Sequence, residues 1–277
     1  MDQRRQIAAI VARESAETLV GRASGVRVEL MRRIVGPVAD RVAARFVAYD
    51  RALGEGLAAG SAWILEHATG GLIVQGRERV PARGPLLVVA NHPGLSDALA
   101  LLAALGRDDA WIVAANYPFL RAMRLVSRRF LFVSDDRSDR LSAIRAIAAR
   151  LRAGETVIVF PAGGLELDPV LSRDAALASL ATWSRSVELL ARVAPHTLVV
   201  PAAIRGVVSR AAFDHPLARR RDPLKERQRM ATLLQIAVPG YRLNRVGISF
   251  GAPLSPSSTR DLHAAVIDSM RALIAEP

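Results

Sequence analysis

Seven consecutive residues, Asn91-His92-Pro93-Gly94-Leu95-Ser96-Asp97, hold the chain's best combination of groups for chemistry. An imidazole is a base near neutral pH, and a neighbouring carboxylate fixes its tautomer and stabilises the imidazolium formed on proton uptake. On a regular helix, positions five apart point about 140° away from each other, so His92 and Asp97 meet only if the chain turns between them. The intervening residues supply that turn. Pro93 biases His92 toward an extended conformation, Gly94 permits a sharp bend, and Ser96 is a good N-cap that places Asp97 in a first helical turn. Such a pair takes a proton from an incoming hydroxyl, and no serine nucleophile is needed if an acyl group arrives as a thioester. An acid in a first helical turn is also stabilised by the helix dipole alone, so the spacing by itself leaves both readings open.

The elements that must position these residues follow from periodicity. Short β-branched runs at 71–76, 86–90, 111–115, 130–133, 156–160, 197–204 and 245–250 predict strands. Amphipathic stretches between them predict helices, among them 141–154, with Gly154 as its stop, and 174–193. Near-continuous apolar strands separated by helices imply an α/β fold, with a mixed, largely parallel central sheet covered by helices on both faces. Residues 1–70 predict an N-terminal helical extension, distinct from a main domain over 71–277. Within it Ile34, Val38, Val42 and Phe46 recur at helical spacing, arginines 32, 33, 41, 45 and 51 occupy other positions, and Gly36-Pro37 predicts a break or kink. A basic amphipathic helix of this kind suits a membrane surface, or packs on the main sheet with a solvated arginine face.

Composition bounds the partners. The net charge of +12 comes almost entirely from arginine, Lys225 being the only lysine, and it suggests an anionic partner. Codon bias accounts equally well for much of that excess. Aromatic residues are only 5%, without the aromatic-plus-basic strands that stack bases, so nucleic acid ranks low. The stretch 217–229 carries six cations against two anions and could join the N-terminal helices in facing anionic lipid. Absence of cysteine fits a reducing compartment, and neither a signal peptide nor a run of about eighteen apolar residues is seen, which predicts a cytoplasmic protein without spanning helices. His67, His196, His215 and His263 have no ligand-like spacing, so neither a metal nor a bound cofactor is expected.

Taken in order, several blocks resemble the glycerolipid acyltransferase family, the 1-acylglycerol-3-phosphate acyltransferases and their relatives. These blocks are Asn91-His92 with Asp97, then Phe160-Pro161 with Gly163, then Val200-Pro201 with Ile204, and the closing VGISFGAPL. The resemblance covers roughly residues 71–252. It implies that His92 is the general base on an acceptor hydroxyl and Asp97 its partner. Acyl-CoA or acyl-carrier protein would be the donor and a lysophospholipid or related lipid the acceptor, at a membrane surface to which the protein binds peripherally. Asn91 would belong to the substrate site. Amides of Ala162, Gly163 and Gly164 are candidates to hold the oxyanion, although a tight turn after a buried strand would also explain these glycines.

The departures concern the acceptor. The family pattern is typically Phe-Pro-Glu-Gly followed by Thr-Arg, but here FPAGGLELD places Ala162 at the glutamate and Leu165 at the arginine, with Glu166 close by. A second family arginine falls on Asp135, with Arg137 two residues late. Both arginines help hold the acceptor phosphate in the family, a bidentate contact these residues cannot replace. Arg137, Arg140 or Arg205 would then take over that role, or the acceptor lacks an exposed phosphate monoester. The losses also motivate an alternative, a catalytically impaired relative that binds lipid or acyl carrier without turnover.

Overall fold

The computed structural model describes residues 2–21, 25–94, 96–134 and 136–276, with the backbone alone for 137–139. All seven expected strands form, as β1 (Leu72–Gln75), β2 (Leu86–Ala90), β3 (Ala110–Ala115), β4 (Phe130–Val133), β5 (Thr156–Val159), β6 (Leu198–Arg205) and β7 (Val246–Phe250). They make one sheet in the order β1-β7-β6-β2-β5-β3-β4, parallel throughout except where β6 meets β7. Every residue of β2 is buried, as a strand covered on both faces requires.

The helices are α1 (Gln3–Val20), α2 (Gly25–Ala52), α3 (Leu57–Ala68), α4 (Asp97–Leu105), α5 (Pro118–Ala122) and α6 (Arg137–Arg152). They continue with α7 (Arg173–Ser179), α8 (Ser186–Val193), α9 (Arg210–Phe213), α10 (Pro216–Arg219), α11 (Leu224–Ala237) and α12 (Leu262–Ala275). Alternate residues of β2 feed two cores. Leu86, Val88 and Ala90 join α3, α4 and α11 on one face, and Leu87 and Val89 join α6, α8 and α12 on the other. A third cluster, including Ile7, Ala43, Tyr49 and Phe119, seats α1 and α2 against α3 and α5 rather than on the sheet. Asp50 fastens that junction, because its buried carboxylate accepts the backbone N–H groups of Arg124, Leu125 and Val126 at 2.8–2.9 Å.

Two local expectations fail for identifiable reasons. Of the break or kink expected at Gly36-Pro37, the break does not occur, since α2 runs from Gly25 to Ala52. Pro37 and Arg33, whose carbonyl loses its partner, are both exposed, so the carbonyl is open to solvent while Ala39, Val42 and Ala43 stay packed. The stretch 174–193 is not one helix but α7, a 3-10 turn over Leu180–Thr182, and α8. The interruption lets buried Trp183 donate its indole N–H to Glu166 at 2.8 Å, and lets the Ser184 amide reach the Pro161 carbonyl at 3.1 Å.

The site follows from topology. β2 is hydrogen-bonded on one side to β5 and on the other to β6, and the chain leaves β2 toward β3 on one side of the sheet but leaves β6 toward β7 on the other. Open α/β sheets bind ligands at such switch points, beyond the carboxyl ends of the strands. His92 leaves β2 there, and Phe160–Gly164 leave β5 beside it.

Candidate active site

The turn forms, and it closes the pair. His92 Nδ1 lies 2.6 Å from Asp97 Oδ2. The same oxygen accepts the Gly94 N–H at 2.9 Å, and Oδ1 accepts the Ala98 N–H at 2.6 Å. An ionised carboxylate only accepts, so the His92 proton sits on Nδ1 and the lone pair is on Nε2. Asp97 is fully buried, whereas 30% of the His92 side chain is exposed. Burial works against protonation of His92, but the charge and hydrogen bond of Asp97, with the charge of Glu166, outweigh it and raise the histidine pKa above its usual value. Phe160 stacks on the imidazole, with ring centres 4.6 Å apart, and so fixes the ring plane.

Gly94 sits in a tight space rather than in a conformation that only glycine adopts. Its φ is not in the left-handed range, but a β-carbon there would stand 3.0 Å from Val207 Cγ1. Ser96 occupies the position before α4, yet its side chain caps nothing. It lines a cleft instead, which corrects the expected N-cap. That cleft, open to solvent and with a cavity volume of about 110 Å³, has walls formed by Phe46, Ile64, Leu99, Val207, Val208 and Ile236.

Asn91 does not face a substrate. It is 2% exposed, its Nδ2 donates to the Ile204 carbonyl at 2.9 Å, and its Oδ1 accepts the Ile204 N–H at 2.7 Å. Both ends of the amide are thus used to lock the end of β2 onto β6. This joins the first sequence block to the Val-Pro-x-x-Ile block. Arg205 also departs from expectation. Its guanidinium donates to the carbonyls of Glu276 and Leu273 at 2.8 and 3.1 Å, and to Ser249 Oγ at 3.0 Å, closing the last turn of α12. The side chain of Arg137, and Asp135 altogether, lie outside the described residues.

In the turn after β5, Gly163 has φ +66°, and its N–H donates to the Phe160 carbonyl at 3.1 Å. That amide is therefore engaged, leaving those of Ala162 and Gly164 as the oxyanion candidates. Nothing lies within 4 Å of a β-carbon built on Gly163 or Gly164, so the turn borders open space.

Sequence reasoning missed the scaffold behind the pair. Glu166, 2% exposed, accepts the His92 N–H on Oε2 at 2.9 Å, and its own N–H donates to the His92 carbonyl at 2.8 Å. Its Oε1 accepts from Ser179 Oγ at 2.7 Å and from the Trp183 indole. Gln228 of α11 donates to the Pro93 and Glu166 carbonyls at 2.8 and 2.7 Å and accepts the Asp168 N–H at 2.9 Å. Asp168, wholly buried, accepts the N–H groups of Val170, Gly206 and Val208, and burial raises its pKa although these bonds favour the anion. Among the described residues no three His, Asp or Glu side chains gather as a metal site.

Comparison with known proteins bears on the fold and the family. Residues 71–205 match the family profile described as Acyltransferase. No curated protein matches the chain. Among solved structures, the crystal structure of the 1-acyl-sn-glycerophosphate (LPA) acyltransferase PlsC from Thermotoga maritima superimposes with a TM-score of 0.52 at 16% identity, covering 98% of this chain and 97% of that one. At that identity the likeness is one of fold, which extends over the N-terminal helices as well. Over residues 71–205 the chain is thus similar to the acyltransferase family, and the likeness of fold runs along nearly its whole length.

Proposed function

We propose that the protein is a glycerolipid-type O-acyltransferase, moving a fatty acyl group from a thioester donor, acyl-CoA or acyl-carrier protein, to a hydroxyl of a lysophospholipid or related lipid. The observation that carries this reading is the 2.6 Å contact between His92 and buried Asp97 at the carboxyl end of β2, next to an apolar cleft. The fold shared with an enzyme named as acting on 1-acyl-glycerophosphate supports the glycerolipid class.

In this mechanism Nε2 of His92 accepts the hydroxyl proton as the acceptor oxygen attacks the thioester carbonyl carbon. Asp97 stabilises the resulting imidazolium. The tetrahedral oxyanion is held by the amides of Ala162 and Gly164. Its collapse breaks the C–S bond, and the departing thiolate takes the proton back from His92, which restores the base.

Membrane association belongs to the same proposal. No helix among the described residues is long and apolar enough to cross a membrane. On α2, however, Val26, Leu30 and Ile34 are 81%, 61% and 61% exposed at successive one-turn spacings, whereas Val42 further along is buried. The outer half of this helix offers an apolar stripe to a lipid interface, flanked by Arg27 and Arg33. Residues 1–70 would then be the membrane-facing segment and 71–277 the acyltransferase domain, on the cytoplasmic side.

The test is a panel. Radiolabelled acyl-CoA and acyl-carrier protein are each offered with lysophosphatidic acid, other lysophospholipids and monoacylglycerol, and esterified product is measured. Transfer to a lysolipid hydroxyl supports the reading. Tight acyl-donor binding with no turnover on any acceptor would replace it with the impaired binding module.

A further inference from the structure

Arg41 and Arg45 stand one turn apart on α2, and Arg242 ends a 3-10 turn, Pro239–Arg242, that faces them. Together with Val38, Val42 and Ile236 they line one depression. Arg45 and Arg242 also border the apolar cleft, which shares Val42 and Ile236 with that depression. Like charges one helical turn apart repel. Many of the chain's other surface arginines find an acid, as in the pairs Arg32–Glu29, Arg185–Glu188, Arg227–Asp214 and Arg271–Asp268. Among the described residues none of these three has a carboxylate within ion-pair reach, and the side chains of Arg41 and Arg45 make no hydrogen bond.

Arg242 is held in place from behind. Its Nε donates to the Gln235 carbonyl at 3.1 Å and its Nη2 to the Ile236 carbonyl, at the end of α11. Burial, with Arg45 and Arg41 nearby, pushes its pKa below the usual guanidinium value, as expected where cations converge without an anion. The cleft leads from here between apolar walls to Ser96, the neighbour of Asp97. The turn Phe160–Glu166 contains no cation that could meet an acidic group.

We propose that Arg41, Arg45 and Arg242 form an anion subsite that holds the phosphate of a single-chain lipid, whose hydrocarbon part lies in the adjoining cleft. Guanidinium forks match phosphate oxygens bidentately, and a depression that is cationic at one end and apolar along its length fits an amphiphile of that polarity. The identification of this lipid as the acceptor rests on the acyl-transfer reading; the binding site does not.

Binding is measured by titration calorimetry on His92→Ala protein, which prevents turnover, using monomeric lysophosphatidic acid and the monoacylglycerol of equal chain length. The charged lipid is expected to bind about tenfold or more tightly, given the strength of hydrogen bonds to charged groups. Inorganic phosphate should compete with it and not with the neutral lipid. Arg41→Gln and Arg45→Gln, which remove no internal bond, should each erode that preference several-fold, roughly one charge-assisted contact apiece. Arg45→Glu should abolish the preference and raise the melting temperature by pairing with Arg242. Equal affinity for the two lipids, or a preference intact in both glutamine variants, overturns the proposal. So does a preference seen only with anionic vesicles, which would make the trio a membrane contact, or a loss of coenzyme A affinity alone, which would assign it to the donor. Absence of acyl transfer by the wild-type enzyme is read in a separate assay and leaves this binding result standing.

Discussion

Both backbone groups of His92 are held by Glu166: the His92 N–H donates to the Glu166 carboxylate at 2.9 Å, and the Glu166 N–H donates to the His92 carbonyl at 2.8 Å. This reciprocal clamp joins the turn after β2 to the loop after β5, so the imidazole is fixed relative to the turn proposed to hold the oxyanion. Glu166 is a positioning residue, reaching the chemistry only through His92. Glu166→Gln keeps the volume and removes the charge, and it is expected to lower kcat about tenfold with KM little changed, since small misplacements of a reacting group are costly. Steady-state kinetics with a fixed acyl donor check this. An effect confined to KM would contradict it.

The pH profile follows from the environment of His92. Burial alone would lower its pKa, but Asp97 and Glu166 raise it above the usual imidazole value. The base acts unprotonated, so kcat/KM should rise with pH through a limb above about 6.5. The stability linkage has the matching sign. Because the folded pKa is the higher one, the contribution of the protonated pair is complete below the unfolded value and fades as pH rises through the folded value. Asp97→Asn should move the activity limb to lower pH, and an unmoved limb would show that the carboxylate does not set the basicity of His92.

Asn91 predicts a stability effect. Asn91→Ala leaves the buried N–H and carbonyl of Ile204 without partners and should cost about 2–4 kcal/mol, the sum for two unsatisfied buried groups. Urea unfolding at constant m-value measures it. A loss below about 0.5 kcal/mol, the range of an ordinary surface substitution, would contradict the lock between β2 and β6.

Membrane contact is tested on α2. Replacing Val26, Leu30 and Ile34 together with serine should weaken binding to anionic vesicles by roughly 1–2 kcal/mol per side chain, while leaving activity on monomeric substrate unchanged. Vesicle cosedimentation beside a soluble-substrate assay reads both. Undiminished cosedimentation would remove this stripe from the interface.

Much of the frame was legible in the sequence because the signals were local. The β-branched runs became all seven strands, and the Pro-Gly turn brought His92 to Asp97. What stayed hidden was set by partners distant in the chain. Asn91 looked like a substrate ligand, but its partner Ile204 is 113 residues away. The break inside 174–193 exists because Trp183 bonds to Glu166, which no helical periodicity reveals. Gln228 lay in a stretch read only for its charge, yet it bonds to both strand-end loops. Arg205 had the right charge for a phosphate, but the end of α12 claims it.

The proposed mechanism depends above all on the imidazole of His92 taking the acceptor proton. Its most direct test is the rate of ester formation from acyl-CoA and a lysolipid by His92→Ala beside the wild-type enzyme, with both shown to be folded by circular dichroism. A fall of about 10²–10⁴-fold in kcat is expected, the range for loss of a general base. Ester formation at the wild-type rate would contradict it.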